Sequence, residues 1–281
     1  MSGQAANELR FDGRVALVDT SDLGLLTGRA LAARGAQVAL VRHPGGGADP
    51  GVAAGELEGR GGSIHVCPDD PATPEGAEAA VAGALGALGR LDVVVAAAVA
   101  GPARAFASLQ PGDIRSSLES ELLSACWLVR AAWAGFRERR YGRVILGLRV
   151  AALDGAAGHA VEGAMAMGLL GLVNVLEIEG RQHDLAVNLL AVDEPATDPV
   201  GDVVVYLAHE RCRLSGEVFS FDRGGVRRVV VGVGGGAYLP DPTVDDVGDR
   251  LDEILSFDEL VVPRDASGEL PLLTRHLGRR S

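Results

Sequence analysis

The sequence has little of what nucleic-acid-binding, secreted and metal-binding proteins need. It carries 26 basic against 38 acidic residues, a formal net charge of −12, and it shows no basic stripe. A surface that binds phosphate backbones needs such a stripe, so we expect no nucleic-acid partner. The three cysteines, Cys67, Cys126 and Cys212, are widely spaced. They form neither a disulfide framework nor a metal-ligand pattern, and we expect no metal site.

The sequence also lacks the segments that direct a chain to a membrane. Its first residues show no basic flank followed by an apolar run, and no apolar stretch looks long and uninterrupted enough to span a bilayer. We therefore expect a cytoplasmic protein in a reducing compartment, with no membrane partner. Hydrophobic residues make up 47% of the chain, which is ample for a buried core.

Short apolar runs alternate with segments of helical periodicity along most of the chain. Predicted strands lie at 14–19, 37–42, 63–66, 91–99, 143–150, 185–192 and 216–221, and predicted helices at 25–35, 74–88, 111–138, 159–181 and 199–209. The alternation predicts an α/β fold: a Rossmann-like, doubly wound parallel sheet of seven strands with helices on both faces. This domain is expected to cover 1–230. A C-terminal extension, 231–281, contains one predicted helix at 243–255 and is expected to pack on the same or a neighbouring subunit.

Many segments occur in the order typical of one large family. They include "FDGRVALV", "LAARGAQVALV", "GRLDVVV", "RERRYGRVI", "GLLGLVNVLEIEG" and "LSGEVFSFDRGG". Over roughly residues 9–230 the chain resembles the short-chain dehydrogenase/reductase family. Its glycine-rich loop 44–62 and its tail are similar to the (3R)-hydroxyacyl-CoA dehydrogenases of the multifunctional β-oxidation enzymes. The resemblance implies hydride transfer between a nicotinamide cofactor and a carbonyl or alcohol.

The phosphate-binding loop departs from the family pattern TGxxxGxG. The chain has "DTSDLGLLTG" at 19–28, in which only Gly24 matches a family glycine. Asp19 and Asp22 bring negative charge to the expected pyrophosphate position. At about 4–5 Å and an effective dielectric near 20, each repulsion would cost roughly 3–4 kcal/mol. Alternatively, Asp22 caps the helix, and its carboxylate then takes the place of the phosphate.

The adenosine side gives a mixed signal. Arg42 stands where the family often has a ribose-binding Asp, and an arginine there can suit a 2′-phosphate. Asp69 matches the family's adenine-contacting Asp, but "PDDP" is equally good as a polar turn. The fourth strand ends in Ala96–Val99 instead of Asn-Asn-Ala-Gly. From the loop and this strand we predict no cofactor, with NAD(P) binding weak or absent.

The catalytic residues of the family are replaced as a set. Counting back from "GLLGL", the family Tyr maps to Glu162, the Lys to Ala166 and the Ser to Arg149, while the Asn of the long fourth helix maps to Glu121. We therefore expect no catalytic residues. The mobile lid of the family is expected to be missing as well, because the chain after Val192 runs almost directly into the next helix.

Three functions remain open. The first is a catalytically silent subunit that supports an active paralogue acting on a hydroxyacyl-CoA-like substrate. The resemblance implies that helices 111–138 and 159–181 form the interface, in a hetero-oligomer or in a dimer or tetramer of this chain. The second is a nicotinamide-independent isomerase, lyase or cyclase that uses Glu162, with His159, Arg149, Glu121 and Asp154 facing the same cleft. The third is a working NAD(P)-dependent oxidoreductase.

Overall fold

The chain folds around one eight-stranded sheet in the computed structural model, which describes residues 9–59, 63–99, 101–192, 197–265 and 267–268. The order across the sheet is β3-β2-β1-β4-β5-β6-β7-β8. The strands are β1 Val15–Asp19, β2 Gln37–Val41, β3 Ser63–Cys67, β4 Val93–Ala97, β5 Gly142–Arg149, β6 Leu185–Val192, β7 Val218–Asp222 and β8 Gly225–Val229. This confirms the predicted Rossmann-like α/β fold.

The sheet is parallel from β3 to β7, and its central strands are buried on both faces. Runs of Val, Leu and Ala without polar alternation suit such strands, because helices cover both faces. β1 lies between β2 and β4, so the strand order changes direction there. In open α/β sheets this point leaves a crevice at the carboxyl ends of the strands, where ligands bind.

Eight helices accompany the sheet in the described part of the first 228 residues. They are α1 Asp22–Ala32, α2 Pro50–Glu58, α3 Pro74–Leu88, α4 Pro111–Ser117, α5 Ser124–Arg139, α6 Val150–Asp154, α7 Ala160–Gly180 and α8 Asp198–Ala208. A π-helical segment, Leu118–Leu123, joins α4 to α5, so the single predicted helix 111–138 is one rod with a widened turn inside it.

The structure differs from the sequence prediction at the edge of the sheet formed by β8 and at two helices. β8 makes eight strands where seven were predicted; the two residues between β7 and β8 suit an antiparallel hairpin. The short helix α6 follows β5 directly and was not predicted. α1 begins three residues earlier than predicted because Ser21 caps it, with Oγ accepting a hydrogen bond from Gly24 N at 3.0 Å.

The chain divides into two compact units, Met1–Arg228 and Val229–Ser281. The second unit contains the short helices α9 Val244–Asp249 and α10 Leu251–Ile254, in the region of the predicted helix. An antiparallel bridge joins Val233 and Val261. Packing of this extension on its own or a neighbouring subunit stays a prediction, and its last residues, 269–281, lie outside the described residues.

The helix α7 is unusually apolar. The segment Ala160–His183 has a mean hydropathy of 1.6 and meets the length and composition of a membrane span, with 28% of that window buried. Among the described residues, this segment is the exception to the expectation that no apolar stretch is long enough. The criterion alone is weak evidence for a membrane span, because the core helices of globular proteins also meet it. Four residues of α7 belong to the core: Met165, Ala166, Leu169 and Val173.

Candidate functional site

A cleft opens where the carboxyl ends of the central strands meet the start of α1. It encloses a cavity of about 190 Å³. The lining residues come from the turn after β1, the loop after β2 and the ends of β4, β5 and β6: Ser21, Asp22, Leu23, Gly47, Ala97, Ala98, Val99, Leu148, Arg149 and Val192. The cavity thus lies at the point where the strand order reverses, which is the usual ligand position in this fold.

The Asp19 carboxylate is directed at the neighbouring strand. It accepts hydrogen bonds from Ala97 N at 2.6 Å, from Ser21 N at 3.0 Å and from Ser21 Oγ. Burial raises the pKa of Asp19, although the facing His43 and these hydrogen bonds act in the opposite direction. Asp19 is therefore a buried tie between β1 and β4, and it does not line the cleft cavity.

His43 and Glu121 complete a buried group that we call the turn cluster: Asp19, His43 and Glu121. The His43 ring has Nε2 at 2.7 Å from Ala97 O and 3.3 Å from Glu121 Oε2. Glu121 in turn accepts a hydrogen bond from Val99 N at 2.6 Å. The cluster therefore ties the ends of β2 and β4 to the π-helical segment.

The electrostatics of the turn cluster favour a protonated histidine. Burial lowers the pKa of His43, but the hydrogen bond with Glu121 and the charges of Asp19 and Glu121 outweigh it and raise that pKa to about 8. The ring nitrogen Nδ1 accepts a hydrogen bond from Gly45 N at 3.1 Å. That bond suits the neutral ring only, so it opposes part of the rise.

The loop after β2 packs tightly on this cluster. A Cβ on Gly45 would overlap Glu121 Oε1, and a Cβ on Gly47 would overlap the Thr20 carbonyl oxygen. Gly47 also has φ +123°, which side chains rarely adopt. The glycines therefore let the loop lie directly against the turn after β1, at one side of the cleft.

A second group lies at the start of α7, and we call it the helix mouth: Arg149, His159 and Glu162. His159 Nδ1 is 2.8 Å from Glu162 Oε2, and Arg149 Nη1 is 3.8 Å from the same oxygen. One turn further, Ala166 is 1% exposed and lines a small void behind Glu162 together with Met165 and Leu169. The lysine position of the family is thus filled by a buried methyl group.

A second cavity, of about 160 Å³, opens on the other side of Glu162. Its walls come from the segment before α4, from α4 and from the start of α7: Gly101, Pro102, Arg104, Leu109, Asp113, Ser116, Ser117, Gly158, His159, Val161 and Glu162. We call it the mouth cavity. Glu162 therefore lies between this cavity and the void that reaches Arg149.

The structure brings together some of the predicted site residues and separates others. Arg149, His159 and Glu162 meet as proposed from the sequence, whereas Glu121 belongs to the turn cluster. Arg42, named as a possible remnant of the nucleotide site, and Asp154, proposed to face the cleft, are both exposed. Asp69 is half-buried in the turn after β3. The predicted lid falls largely on 193–196, which lie outside the described residues.

Sequence reasoning missed His43. The signal was its place two residues after the apolar run of β2, at the carboxyl edge of the sheet where β1 and β4 also end. Metal binding gains no support there, since no group of three or more His, Cys, Asp or Glu side chains in the described ranges is arranged to hold an ion.

The sheet and its cleft define a Rossmann-like protein of the kind that binds a dinucleotide. The family model described as short chain dehydrogenase matches residues 15–202. The chain belongs to the short chain dehydrogenase family, as its sequence resemblance indicated. A short-chain type dehydrogenase/reductase of Mycobacterium tuberculosis is 30% identical to it over 267 residues, covering 86% of this chain and 93% of that protein.

Longer relatives confirm the resemblance to the hydroxyacyl-CoA dehydrogenase branch. Peroxisomal multifunctional enzyme type 2 of Mus musculus is 29% identical over 250 residues, which is 80% of this chain and 34% of the mouse protein. The structure of full-length peroxisomal multifunctional enzyme type 2 from Drosophila melanogaster matches with a TM-score of 0.81 and 22% identity, covering 96% of this chain and 50% of that chain. The chain spans at most half of these multifunctional proteins.

The prediction that no cofactor is bound, with NAD(P) binding weak or absent, is wrong. The family is NAD(P)-dependent and the relatives are dehydrogenases. The physical error lies in the direction assumed for Asp19 and in the capping role assumed for Asp22. Asp19 is tied to Ala97 and faces His43 instead of the cleft. Asp22 does not cap α1, because Ser21 does, so no capping carboxylate takes the place of a phosphate.

The residues present fit a dinucleotide at one clear point. A Cβ on Gly24 would overlap the Asp19 carbonyl oxygen, so only glycine lets the first turn of α1 lie against the end of β1. This close approach is what the family glycine provides. Ser21, Gly24 and Gly47 are the residues that would hold the cofactor. When bound, a nicotinamide supplies or accepts a hydride.

Proposed function

We propose that this chain is a dehydrogenase-fold subunit that is silent in hydride transfer and supports an active paralogue, which acts on a hydroxyacyl-CoA-like substrate. The observation that carries the proposal is Ala166 at the lysine position, 1% exposed. The sequence contains no lysine at all, since all 26 basic residues are arginines. No other side chain of this sequence can therefore supply the missing ammonium group. Cofactor binding is left intact by this proposal.

The tyrosines of the first unit offer no replacement for the proton donor. Tyr141 precedes the amino end of β5, which is the end of that strand opposite Arg149. The guanidinium carbons of Arg14 and Arg143 lie 4.0 and 4.5 Å from the centre of its ring. Tyr206 is half-exposed on α8. The Tyr position itself holds Glu162, whose carboxylate is 2.8 Å from His159 Nδ1 and brings no phenol hydroxyl to the site.

An apolar surface supports the assembly role. The outer side of α7 exposes Met167 by 52%, Val175 by 52% and Ile178 by 45%. These residues do not contribute to the core, and apolar side chains grouped along a helix are typical of contact surfaces. We propose that this face, together with α5, binds a paralogous subunit or a second copy of this chain.

Co-expression with an intact dehydrogenase paralogue tests the assembly role. We expect co-purification, and we expect Val175→Arg to weaken it at least tenfold because a charge would be buried in the contact. Tyr206→Arg is the matched control, since Tyr206 is equally exposed at 49% but lies on α8. Equal loss with both variants, or no co-purification and no self-association of the wild type, would contradict the proposal.

The absence of hydride-transfer activity is tested in a separate experiment. The purified chain is incubated with NAD or NADP and a (3R)-hydroxyacyl-CoA, and cofactor reduction is followed by absorbance. We expect no turnover above the rate without protein. Steady reduction that scales with the amount of chain would show a working oxidoreductase instead. The proposal also places the protein in the cytoplasm, which fractionation of cells expressing a tagged chain would test.

A second candidate function is favoured by one specific observation. The 2.8 Å contact between His159 and Glu162 is the geometry of an oriented acid–base pair, beside a cavity. It supports a nicotinamide-independent isomerase or related enzyme in which Glu162 takes part. This activity would need no lysine and no hydride, and it is compatible with a role in assembly.

A further inference from the structure

The two nitrogens of His159 are in different situations. Nδ1 lies 2.8 Å from Glu162 Oε2, and a carboxylate accepts hydrogen bonds, so Nδ1 carries the proton. In the neutral ring Nε2 is then an acceptor with a free lone pair. No protein atom in the described ranges forms a hydrogen bond with it, although the His159 side chain is only 15% exposed. This is the arrangement in which a carboxylate orients a basic imidazole.

The free nitrogen belongs to a ring that lines the mouth cavity. This cavity of about 160 Å³ has comparable polar and apolar walls. Its polar groups are the Arg104 guanidinium and the hydroxyls of Ser116 and Ser117, and its apolar groups include Leu109 and Val161. A small molecule with oxygen atoms and a short carbon frame suits such a lining better than a hydrocarbon or a highly charged one.

The wall around Arg104 is fixed. Arg104 Nη1 is 3.2 Å from Asp113 Oδ2, and Arg104 N donates to Gly158 O at 2.8 Å. The second contact ties the wall to the residue before His159. Because one of five guanidinium N–H groups meets Asp113, the others remain as donors for an oxygen that gains negative charge.

Charge near the base is balanced. Glu162 Oε2 has the Arg149 guanidinium at 3.8 Å on the side away from the mouth cavity and His159 on the near side. Asp113 is likewise paired with Arg104. The cavity therefore presents no unpaired carboxylate in its described lining, and a neutral substrate is favoured over a cation.

We propose that His159 is a catalytic general base for proton transfer in small α-hydroxy carbonyl compounds, with Glu162 as its positioning residue. This inference rests on the second candidate function. His159 Nε2 removes a proton from the carbon between hydroxyl and carbonyl. The C–H bond breaks, its electron pair forms a C=C bond, and the carbonyl π pair moves to oxygen, which gives an enediolate. The hydroxyl proton then moves to the oxygen that gained the π pair. The electron pair that it leaves on the first oxygen forms a new C=O bond, the C=C pair takes the proton back from Nε2 at the former carbonyl carbon, and the isomeric hydroxy carbonyl results. Neither oxidant nor reductant is consumed.

Deuterium exchange tests this step directly with hydroxyacetone as the probe. The folded full chain is incubated with hydroxyacetone in D₂O, and loss of the hydroxymethylene proton signal is followed by NMR. We expect the wild type to exceed the buffer rate at least about 100-fold, the lower end for a positioned general base. His159→Gln is expected to return the rate to that of buffer.

Glu162→Gln separates positioning from plain structure. We expect at least a tenfold lower exchange rate at saturating hydroxyacetone with an unchanged KM, because an amide no longer orients the imidazole as the carboxylate does. Glu177→Gln is the matched control: Glu177 lies on the same helix, pairs with Arg181 at 2.7 Å and is equally exposed at 14%. It is expected to leave both the saturating rate and the KM unchanged.

The other outcomes overturn the inference in distinct ways. Exchange at the buffer rate with wild type removes it, whatever the assembly experiments show. Exchange that survives in His159→Gln and vanishes in Glu162→Gln assigns the base to Glu162; the second candidate then stands and the inference falls. If His159→Gln does not fold, the reactivity of His159 in the wild type is measured instead, by its acylation with diethyl pyrocarbonate. Acylation of His159 at Nε2, slowed in Glu162→Gln, supports the inference, and a folded chain whose His159 does not react refutes it.

Discussion

Two histidine–carboxylate groups of this protein lie near the same crevice, and they differ in how completely their polar atoms are matched. In the turn cluster, both His43 nitrogens have partners and Glu121 accepts a backbone amide. At the helix mouth, His159 uses one nitrogen and turns the other to a cavity. The same residue types thus form a structural tie in one place and an open site in the other, and completeness of hydrogen bonding separates them.

Removing Glu121 should have the largest effect. Glu121→Ala leaves a buried histidine beside Asp19 without its second carboxylate and leaves Val99 N unpaired. Breaking one partner of a buried pair costs roughly 3–5 kcal/mol of unfolding free energy. Urea unfolding measures it, with the exposed neighbour Glu119→Gln as the control, for which less than about 0.5 kcal/mol is expected. A small loss at Glu121 would mean that the cluster is not a tie.

Filling the space at Gly45 should have the next largest effect. In Gly45→Ala the new methyl group would overlap Glu121 Oε1 and lie 3.0 Å from His43 Cε1. Forced overpacking costs roughly 1–3 kcal/mol. Gly55→Ala, inside α2 with open space around it, should instead stabilise by about 0.5–1 kcal/mol. Thermal unfolding of both variants checks the opposite signs; the same sign for both would contradict the tight packing at Gly45.

The turn cluster should also make stability depend on pH. The pKa of His43 is raised to about 8 from 6.5. A raised histidine pKa stabilises fully below 6.5, and this contribution is lost as pH rises through 8. The loss is at most about 2 kcal/mol, since one pKa unit is worth about 1.4 kcal/mol and the Gly45 hydrogen bond offsets part of it. Urea unfolding between pH 6 and 9 measures it, and His43→Gln should flatten the curve.

The helix mouth should give the smallest effect on stability. Glu162→Gln keeps the shape of the side chain and changes a partly solvated group, so we expect less than about 1 kcal/mol in urea unfolding. Glu177→Gln again serves as the control. A loss as large as that of Glu121→Ala would place the helix mouth among the structural ties and would remove the contrast between the two groups.

Most helices and strands could be predicted from the sequence, because apolar periodicity and end signals involve residues that are close together in the chain. The helix 74–88 matches α3, which begins after its Thr73 cap and ends before Gly89. The strand 185–192 matches β6, which is a largely apolar run buried along its whole length. The edge strand β8 was missed because its middle residues, "VRR", are exposed and give no apolar run.

The site was predicted in part, and the errors come from long-range contacts. Counting along one helix singled out Glu162 and Ala166, and in the structure both residues line the same small void. The direction of Asp19 could not be predicted in this way, because it is set by an amide 78 positions away on β4. His43 was missed for the same reason, since its partners come from three distant segments.

The π-helical segment Leu118–Leu123 has a consequence for how this protein can change. A π turn takes up roughly one residue more than an α turn, a rotation of about 100° around the axis. The stretch before it borders the mouth cavity, while the stretch after it packs on α3. The side chains after the π turn therefore point in directions rotated by that angle from those before it. Substitutions that reshape the mouth cavity on α4 can thus accumulate without altering the face of α5 that packs on α3.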